Sequence, residues 1–282
     1  AAAVAVRSAA LGRLALRAGP AAAPVAVRAA AWAAPVLEFG RTFKGPQEAP
    51  AGLRYWPDFV TPAEEAELQR VVDGEGSAWV RHIRRAQQFF GLVYYQTSQS
   101  VPALQPTAES DQRTQRGRAL QDLPAWLLRR VLDTGVFESG AGTVNQVQAN
   151  EYLDASGIGV HVEDPAAGPS LATLSLREPV QMTLSRAVDG RPQPRDTRDR
   201  EDYVKILLEP RSLLVMQGES RYGFAHAIRQ SRLVPLRGGE VFRRGRDYRR
   251  VSLTFRGILE DERTAERQDM PEGYVPFTLP PP

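Results

Sequence analysis

The chain has 282 residues, with 36 basic and 33 acidic side chains and a net charge of +3. Its length suits one large domain, with or without a tail, and an apolar content of 42% is typical of a globular protein. It contains no cysteine, which excludes a disulfide framework, a thiolate zinc site, an iron–sulfur cluster and a cysteine nucleophile. The three histidines are His82, His161 and His226, so a site that needs three or four histidine ligands is nearly excluded.

Residues 1–37 form an alanine-rich segment that contains arginine but no acidic residue. Such a composition resembles an organelle transit peptide, although a low-complexity extension fits it as well. Its apolar runs are too short, and too often interrupted by arginine or proline, to span a bilayer, so no transmembrane segment is predicted. Residues 1–52 are therefore predicted to be a leader, either a transit peptide or disordered. The predicted location is a mitochondrion or a chloroplast, with the cytoplasm or nucleus as the alternative.

Two helices are predicted in the first half of the folded region. Thr61 is a suitable N-cap, Pro62 suits the first helical position, and Glu64 completes a capping box. This pattern predicts a helix over 61–73. A second helix is predicted over 123–134, where apolar residues recur at helical spacing.

Strand patterns dominate from about residue 143 onwards, in short segments separated by glycine, proline and charged turns. The predicted strands are 144–152, 171–176, 180–185, 203–208, 212–216 and 250–258. Residues 88–96 are predicted to be a strand pair or an extended loop, whereas 98–120, 186–202 and 229–249 are predicted to be loops. Helices followed by many strands indicate an α+β fold whose strands form a barrel or a sandwich.

His161 and Glu163 are the first candidates for chemistry. Residues at positions i and i+2 of an extended segment point to the same side, so these two could face one metal ion. His226 could supply a third ligand from another strand. Two imidazoles and one carboxylate leave coordination positions open, as non-haem Fe(II) requires. The alternative is that these histidines are structural or surface residues.

The last predicted strand places Arg250, Ser252, Thr254 and Arg256 on one face. If the apolar residues between them pack outward against helices, both arginines point inward, which is costly unless they meet anions. A dicarboxylate cofactor would supply such anions, since the arginine fork binds carboxylates in a bidentate manner. The alternative is that the arginines lie on a solvated face.

Asn150 and Tyr152 also share a strand face, shortly before His161, and could donate hydrogen bonds to the same cofactor. Ordinary strand packing is the alternative. The ordered motifs N-x-Y, H-x-acid, a distant histidine and R-x-S-x-T-F-R resemble the AlkB family of Fe(II)- and 2-oxoglutarate-dependent dioxygenases. The resemblance covers roughly 53–260. The segment 211–222 is similar to the oxygenase domain of the AlkB homologue that is fused to a tRNA wobble-uridine methyltransferase.

The resemblance implies a double-stranded β-helix, or jelly roll, flanked by N-terminal helices over 53–262, with 263–282 as a C-terminal tail. By the same resemblance, the iron ligands are His161, His226 and an acidic residue, and the 2-oxoglutarate contacts are Asn150, Tyr152, Arg250, Ser252 and Arg256. Arg250 would pair with the remote carboxylate, assisted by Tyr152. The family has aspartate where this chain has Glu163, so the acidic ligand is either Glu163 or the next residue, Asp164.

The resemblance further implies that Fe(II), 2-oxoglutarate and O₂ are used to hydroxylate or demethylate a modified nucleotide, with release of succinate and CO₂. The expected substrate is tRNA, a separate tRNA methyltransferase is a candidate partner, and the chain is expected to be a monomer. One alternative is the same chemistry on a protein or a metabolite. Another is an AlkB-like RNA-binding module with an impaired metal site.

An enzyme that oxidises a base needs aromatic and arginine side chains around its pocket, because it must hold an unstacked nucleotide. The candidates are His82, Arg84, Arg85, Phe89 and Phe90 in the early segment, with Phe90 preferred of the two aromatic residues, and Arg244. The neighbouring Arg243, Arg246 and Arg249 could contact phosphate together with Arg244. The alternative is that the arginines are solvated loop residues and the phenylalanines belong to the core.

Overall fold

A computed structural model describes residues 32–43, 45–81, 85–91, 118–137, 143–164, 167–188, 191–192 and 202–258. The helices are α1 (Pro62–Asp73), α2 (Ala125–Leu132) and the short α3 (Gly218–Tyr222), and a 3₁₀ turn covers Leu120–Asp122. The strands in the first part are β1 (Leu37–Phe39), β2 (Leu53–Trp56), β3 (Ala86–Gly91), β4 (Gln146–Leu153), β5 (Ile158–His161), β6 (Leu171–Leu176) and β7 (Val180–Val188). Those that follow are β8 (Arg191–Pro192), β9 (Val204–Leu208), β10 (Leu213–Met216), β11 (Phe224–Ile228), β12 (Leu233–Pro235), β13 (Val241–Arg243) and β14 (Arg249–Arg256).

The strands form two six-stranded antiparallel sheets and a separate hairpin. The major sheet has the order β2-β10-β6-β14-β4-β3. The minor sheet has the order β1-β9-β7-β11-β5, with β8 paired to β7. Strands β12 and β13 pair with each other. Chain neighbours such as β4 and β5 therefore lie in different sheets, which brings distant parts of the sequence together.

Two apolar clusters hold these layers together. One lies between the outer face of the major sheet and the two longer helices, and includes Leu68 of α1, Leu127 of α2 and Phe255 of β14. The other contains residues of both sheets, among them Leu214 of the major sheet and Ile206 of the minor sheet. The inner faces of the sheets thus share a core, and one part of the space between them is polar.

The predicted helix start at Thr61 is confirmed. Thr61 Oγ1 accepts from the backbone N–H of Glu64, and the Glu64 carboxylate accepts from the backbone N–H of Thr61, which is the reciprocal pattern of a capping box. The predicted alternation of the last strand is also confirmed, because Val251, Leu253 and Phe255 pack in the cluster between the major sheet and the two longer helices, called the helix-side core below. The polar residues of β14 therefore face the other sheet.

Two boundaries of the sequence prediction are wrong. The folded part starts before residue 53, because β1 pairs with β9 and Ala33 forms a bridge with Tyr55 of β2. A strand of three residues has too little alternation to be recognised in a leader-like sequence. The segment 229–249 is not only a loop, since it contains the β12–β13 hairpin. Residues 1–31 and 259–282 lie outside the described part of the chain.

None of the helices in the described residues is long and apolar enough to cross a membrane.

Candidate active site

A cavity of about 530 Å³ opens between the two sheets. Most of the polar residues singled out from the sequence line it: Arg85, Asn150, Tyr152, His161, Glu163, Asp164, His226, Arg250, Ser252 and Arg256. These residues lie on both sheets, because β4 and β14 belong to the major sheet and β5 and β11 belong to the minor sheet. The fold therefore gathers in one place residues that are far apart in the sequence.

His161, Glu163 and His226 form a compact group at this cavity. Their nearest ligand atoms all lie within 4.8 Å of one another. His161 is the direct partner of His226 across the antiparallel β5–β11 pair, and the two ring centroids are 4.2 Å apart. Nδ1 of His161 lies 2.8 Å from the carbonyl oxygen of Gly159. A proton on Nδ1 would satisfy that carbonyl and leave Nε2 as the ligand atom.

The carboxylate of Glu163 is held in its charged form. Burial raises its pKa, but the positive charge of Arg256, with smaller contributions from the two histidines and Arg221, outweighs burial and holds the pKa at about 2. Arg256 Nη2 lies 2.9 Å from Glu163 Oε1. Glu163 therefore offers a hard anionic oxygen at neutral pH, which suits a divalent iron ligand.

His226 is held in its neutral form. Burial lowers its pKa to about 3, and the neighbouring His161 adds to this shift while Glu163 opposes it. A neutral imidazole has a free lone pair, which metal coordination requires. Two histidines and one carboxylate, with open space in front of them, fit Fe(II) and leave positions for further ligands.

Arg250 lies on the inner face of β14 and is only 1% exposed. Its Nη2 donates to Ser175 Oγ at 2.8 Å, and its guanidinium lies 5.2 Å from the centroid of the Tyr152 ring. Among the described residues, its Nε and Nη1 have no hydrogen-bond partner although both are buried. A buried guanidinium with two unused donors at a cavity wall fits the carboxylate of a bound dicarboxylate.

Arg256, predicted as a cofactor contact, makes protein contacts in this structure. Its Nη1 donates to Gln146 Oε1 at 3.0 Å and to Gln148 Oε1 at 2.6 Å, and its Nη2 pairs with Glu163. Arg256 thus connects the carboxylate of the metal group to strand β4. The line of Gln146, Gln148 and Asn150 follows the alternation of β4, so strand parity was a signal from which both glutamines could have been predicted.

Asn150 is fixed by neighbours on the same wall of the cavity. Its Oδ1 accepts from Arg85 Nε at 3.2 Å, from Gln87 Nε2 at 3.1 Å and from Gln148 Nε2 at 3.3 Å. With its oxygen turned to these donors, the amide N–H₂ group is the part of Asn150 left for a bound molecule. Ser252 lies opposite Asn150 in the β4–β14 register, as its place in the strand pattern predicts.

The predicted substrate contacts have mixed outcomes. Arg85 lines the cavity, whereas His82 and Arg84 lie outside the described residues. The preference for Phe90 is wrong, because Phe90 is 0% exposed and belongs to the helix-side core. Its neighbour Phe89 lines the cavity instead. The two residues alternate on β3, so the correct choice required the parity of this strand, which the sequence alone left open.

The prediction for Arg244 is also wrong. Arg244 is 1% exposed, donates to the carbonyl oxygens of Ser231 at 3.1 Å and Ser156 at 2.6 Å, and stacks on Tyr248. It holds a loop and does not line the main cavity. Arg249 forms ion pairs with Asp73 and Glu151 and is therefore not part of an open phosphate patch.

Sequence reasoning missed Ser175 and Arg221. Ser175 is the partner of Arg250, and Arg221 donates to the main chain beside Glu163. Arg221 lies in the segment 211–222 that resembles the AlkB homologue, but that resemblance gave it no role, and no pattern marks Ser175. The roles of both residues come from contacts between segments distant in the sequence.

Comparison with known proteins places this site in a family. The 2OG-Fe(II) oxygenase superfamily matches residues 52–256. An Arabidopsis thaliana protein named "Alkylated DNA repair protein ALKBH8 homolog" is 29% identical over 219 residues, which cover 73% of this chain and 58% of that protein. "Alpha-ketoglutarate-dependent dioxygenase alkB homolog 7, mitochondrial" of Bos taurus is 27% identical, with coverage of 76% and 82%.

A Xenopus tropicalis protein named "tRNA (carboxymethyluridine(34)-5-O)-methyltransferase alkbh8" is 26% identical, with coverage of 64% of this chain and 25% of that protein. This chain thus spans 58% of the Arabidopsis relative and a quarter of the Xenopus relative. The family match extends over most of the chain, and the relatives carry AlkB names. The chain belongs to the 2OG-Fe(II) oxygenase superfamily, and AlkB homologues are among its relatives.

Proposed function

We propose that this chain uses Fe(II), 2-oxoglutarate and O₂ to oxidise a modified nucleotide in tRNA, with release of succinate and CO₂. One observation carries the proposal: the cavity that His161, Glu163 and His226 line is also lined by Arg250, whose buried Nε and Nη1 have no hydrogen-bond partner among the described residues. A metal group alone is common in proteins, but a metal group with a buried arginine on the facing wall suits a metal-bound dicarboxylate.

The residues have distinct parts in this proposal. His161, Glu163 and His226 would hold Fe(II), and Glu163 rather than Asp164 would be the carboxylate, because Glu163 is the acid in the compact group. Arg250 would bind the remote carboxylate of 2-oxoglutarate, with Tyr152 packed against its guanidinium. When bound, Fe(II) and 2-oxoglutarate supply the oxidising chemistry, with one oxygen atom of O₂ entering succinate and the other the substrate.

Neighbouring groups orient the residues that would bind the metal and the co-substrate. Gly159 holds His161 in one ring orientation, and Arg256 fixes one oxygen of Glu163. Asn150 and Ser252 would donate to the co-substrate from the inner faces of β4 and β14.

The nucleotide part of the proposal rests on the cavity wall and on the relatives. Arg85, Gln87 and Phe89 form one edge of the cavity, and together they offer charge, amide hydrogen bonds and an aromatic face. Flipped bases are held by such groups. One relative is named as a tRNA methyltransferase and another as an alkylated DNA repair protein, which favours a nucleic acid as substrate.

The jelly-roll arrangement that the family implies, a monomeric state and a separate tRNA methyltransferase as partner belong to the same proposal. So does an organellar location, which the composition of the leader and the mitochondrial name of the Bos taurus relative support.

The full chain, purified without oxygen, would be supplied with Fe(II), ascorbate and 2-oxoglutarate and then exposed to air. Succinate would be measured with and without bulk tRNA, and His161→Ala would be the control. The proposal predicts succinate that increases with tRNA and is absent from the variant. The full chain is used because the folded part begins before residue 53.

Each other outcome points elsewhere. If succinate formation depended on the metal but not on tRNA, tRNA would be excluded as the substrate, and proteins and metabolites would be tested next. RNA binding without succinate or retained iron would favour the binding module. Mass spectrometry of nucleosides from the reacted tRNA would separate stable hydroxylation, with a gain of one oxygen, from loss of a methyl group.

A further inference from the structure

Arg221 joins the segment that carries Glu163 to the short helix α3. Its Nη1 donates to the carbonyl oxygen of Glu163 at 2.9 Å, and its Nη2 donates to that of Asp164 at 2.6 Å. Its Nε donates to the carbonyl oxygen of Gly168 at 3.3 Å. The side chain is 1% exposed. One guanidinium therefore contacts the main chain at both ends of the segment from Glu163 to Gly168.

The base from which Arg221 projects is itself fixed. Helix α3 directly precedes β11, the strand of His226. The backbone N–H of Ser220 donates to the carbonyl oxygen of Ala51 at 2.9 Å, and the side chain of Gln217 donates to Ser170 Oγ at 2.8 Å. Arg221 thus links the carboxylate of the metal group to the element that leads into its second histidine.

Gly168, at the far end of the same segment, is closely packed. Gly168 has a φ of +80°, and a Cβ atom there would lie 2.4 Å from the carbonyl oxygen of Gly257. Gly257 directly follows Arg256, the residue that pairs with the Glu163 carboxylate. With Gly168 packed in this way, Arg221 restrains the remaining freedom of the Glu163 main chain.

The chemistry of arginine suits this task. Its planar fork presents several donors in a fixed geometry, so one residue can satisfy several carbonyl oxygens while little flexibility is lost. An apolar side chain could fill the same space but would leave the carbonyl oxygens of Glu163, Asp164 and Gly168 without this donor.

We propose that Arg221 is a positioning residue for the metal carboxylate. It fixes the main chain of Glu163 relative to the strand of His226 and thereby sets the affinity of the three-ligand group for a divalent metal. Arg221 does not line the cavity, so it acts through Glu163 and not on a substrate. This inference rests on the metal site of the proposed function.

Arg244 provides a matched control. It is also 1% exposed and also donates to main-chain carbonyl oxygens, those of Ser231 and Ser156, but it lies outside the metal group. The full chain would be titrated anaerobically with Co(II), a probe with a visible spectrum that reports coordination. Arg221→Met, Arg221→Lys, Arg244→Met and Arg244→Lys would be compared with the natural chain, together with their melting temperatures.

Arg221→Met is expected to weaken Co(II) binding by about 10- to 100-fold, the range typical of residues that orient metal ligands. Arg221→Lys is expected to recover part of the affinity, because lysine keeps the charge but not the fork. Arg244→Met is expected to lower the melting temperature while Co(II) affinity and the Co(II) spectrum stay close to those of the natural chain.

Equal effects of Arg221→Met and Arg244→Met on Co(II) affinity would overturn the inference, since both would then act only through stability. If Arg221→Met does not fold, Arg221→Lys decides, and an unchanged Co(II) affinity and spectrum in that variant would also overturn it. A natural chain that binds no Co(II) would refute the metal site of the proposed function. That result can be distinguished from failure of the inference alone, in which the natural chain binds Co(II) and the Arg221 variants bind it equally well.

Discussion

His161 and His226 are direct partners across the antiparallel pair of β5 and β11, with ring centroids 4.2 Å apart. Directly opposed residues of neighbouring strands have their Cβ atoms about 4.5–5.5 Å apart, so strand register alone brings both imidazoles to one metal position. A slip of one residue would turn one ring to the opposite face of the sheet. The site is therefore built into the minor sheet and needs the segment after β5 only for its carboxylate.

The identity of that carboxylate can be tested by two neighbouring substitutions. Glu163→Gln keeps the side-chain size but removes the anionic ligand, and we expect it to weaken Fe(II) or Co(II) binding by more than about 100-fold, beyond the range for orienting residues. Asp164→Asn should leave the affinity close to that of the natural chain, because Asp164 is outside the compact group. Titration of both variants measures this, and the reverse order of effects would make Asp164 the ligand.

His226 makes the stability of the metal-free protein depend on pH. Its pKa is 6.5 in the absence of the fold and about 3 within it. Between these values the unfolded chain binds a proton that the folded chain does not, so stability is full above pH 6.5 and decreases as the pH falls towards 3. Glu163, with its pKa lowered from 4.5 to about 2, adds a further loss below pH 4.5.

Urea unfolding at pH 7 and pH 5 separates the contribution of His226 from that of Glu163, because the Glu163 contribution begins below this interval. The urea midpoint of the metal-free natural chain should decrease between the two pH values. His226→Gln cannot titrate, so its midpoint should decrease less. The same decrease in both proteins would show that His226 is not held neutral by the fold.

Arg250 should control the requirement for 2-oxoglutarate. A hydrogen bond to a charged group contributes about 1.5–3 kcal/mol, so Arg250→Met is expected to raise the KM for 2-oxoglutarate by about 10- to 100-fold. Ser175→Ala removes only the residue that orients Arg250 and should have a smaller effect. Succinate formation at varied 2-oxoglutarate concentrations measures both variants, and an unchanged KM in Arg250→Met would place the carboxylate elsewhere.

Arg250→Met should also change the thermal stability of the protein. In the ligand-free protein, Arg250 is a buried cation with two donors that have no partner among the described residues. Replacing a buried charge whose donors are only partly satisfied with an apolar side chain of similar length is often neutral or stabilising. The melting temperature of ligand-free Arg250→Met should therefore equal or exceed that of the natural chain, while its increase on addition of 2-oxoglutarate should be lost. A lower melting temperature in the ligand-free variant would contradict this account.

The features that the sequence predicted well depend on near neighbours. The capping box of Thr61 and Glu64 spans three residues, and the alternation of β14 is visible within one strand. Both patterns depend only on residues a few positions apart, so they can be recognised without knowledge of the tertiary structure. The ordered motifs also located the cavity residues, since each motif remained on one strand or one turn.

The features that were missed or mistaken depend on pairing and burial. The sequence of β1 is too short to show a strand pattern, and its place comes from β9, far along the chain. Arg244 has the same local surroundings as its exposed neighbour Arg243, and only the packing of Tyr248 and two loops makes it structural. Local patterns therefore predicted which residues matter more reliably than they predicted which side of the fold each residue faces.

Phe89 and Phe90 allow a direct comparison of a cavity residue with a core residue, because they are adjacent and chemically identical. Phe90 is 0% exposed in the helix-side core, so Phe90→Ala should lower the free energy of unfolding by about 3–5 kcal/mol. Phe89 is only half-buried and lines the cavity, so Phe89→Ala should cost less stability but reduce the increase of succinate formation by tRNA. Urea unfolding and the succinate assay, applied to both variants, measure the two effects. If Phe89→Ala left the response to tRNA unchanged, this edge of the cavity would not be the nucleotide contact, and the search would move to another part of the rim.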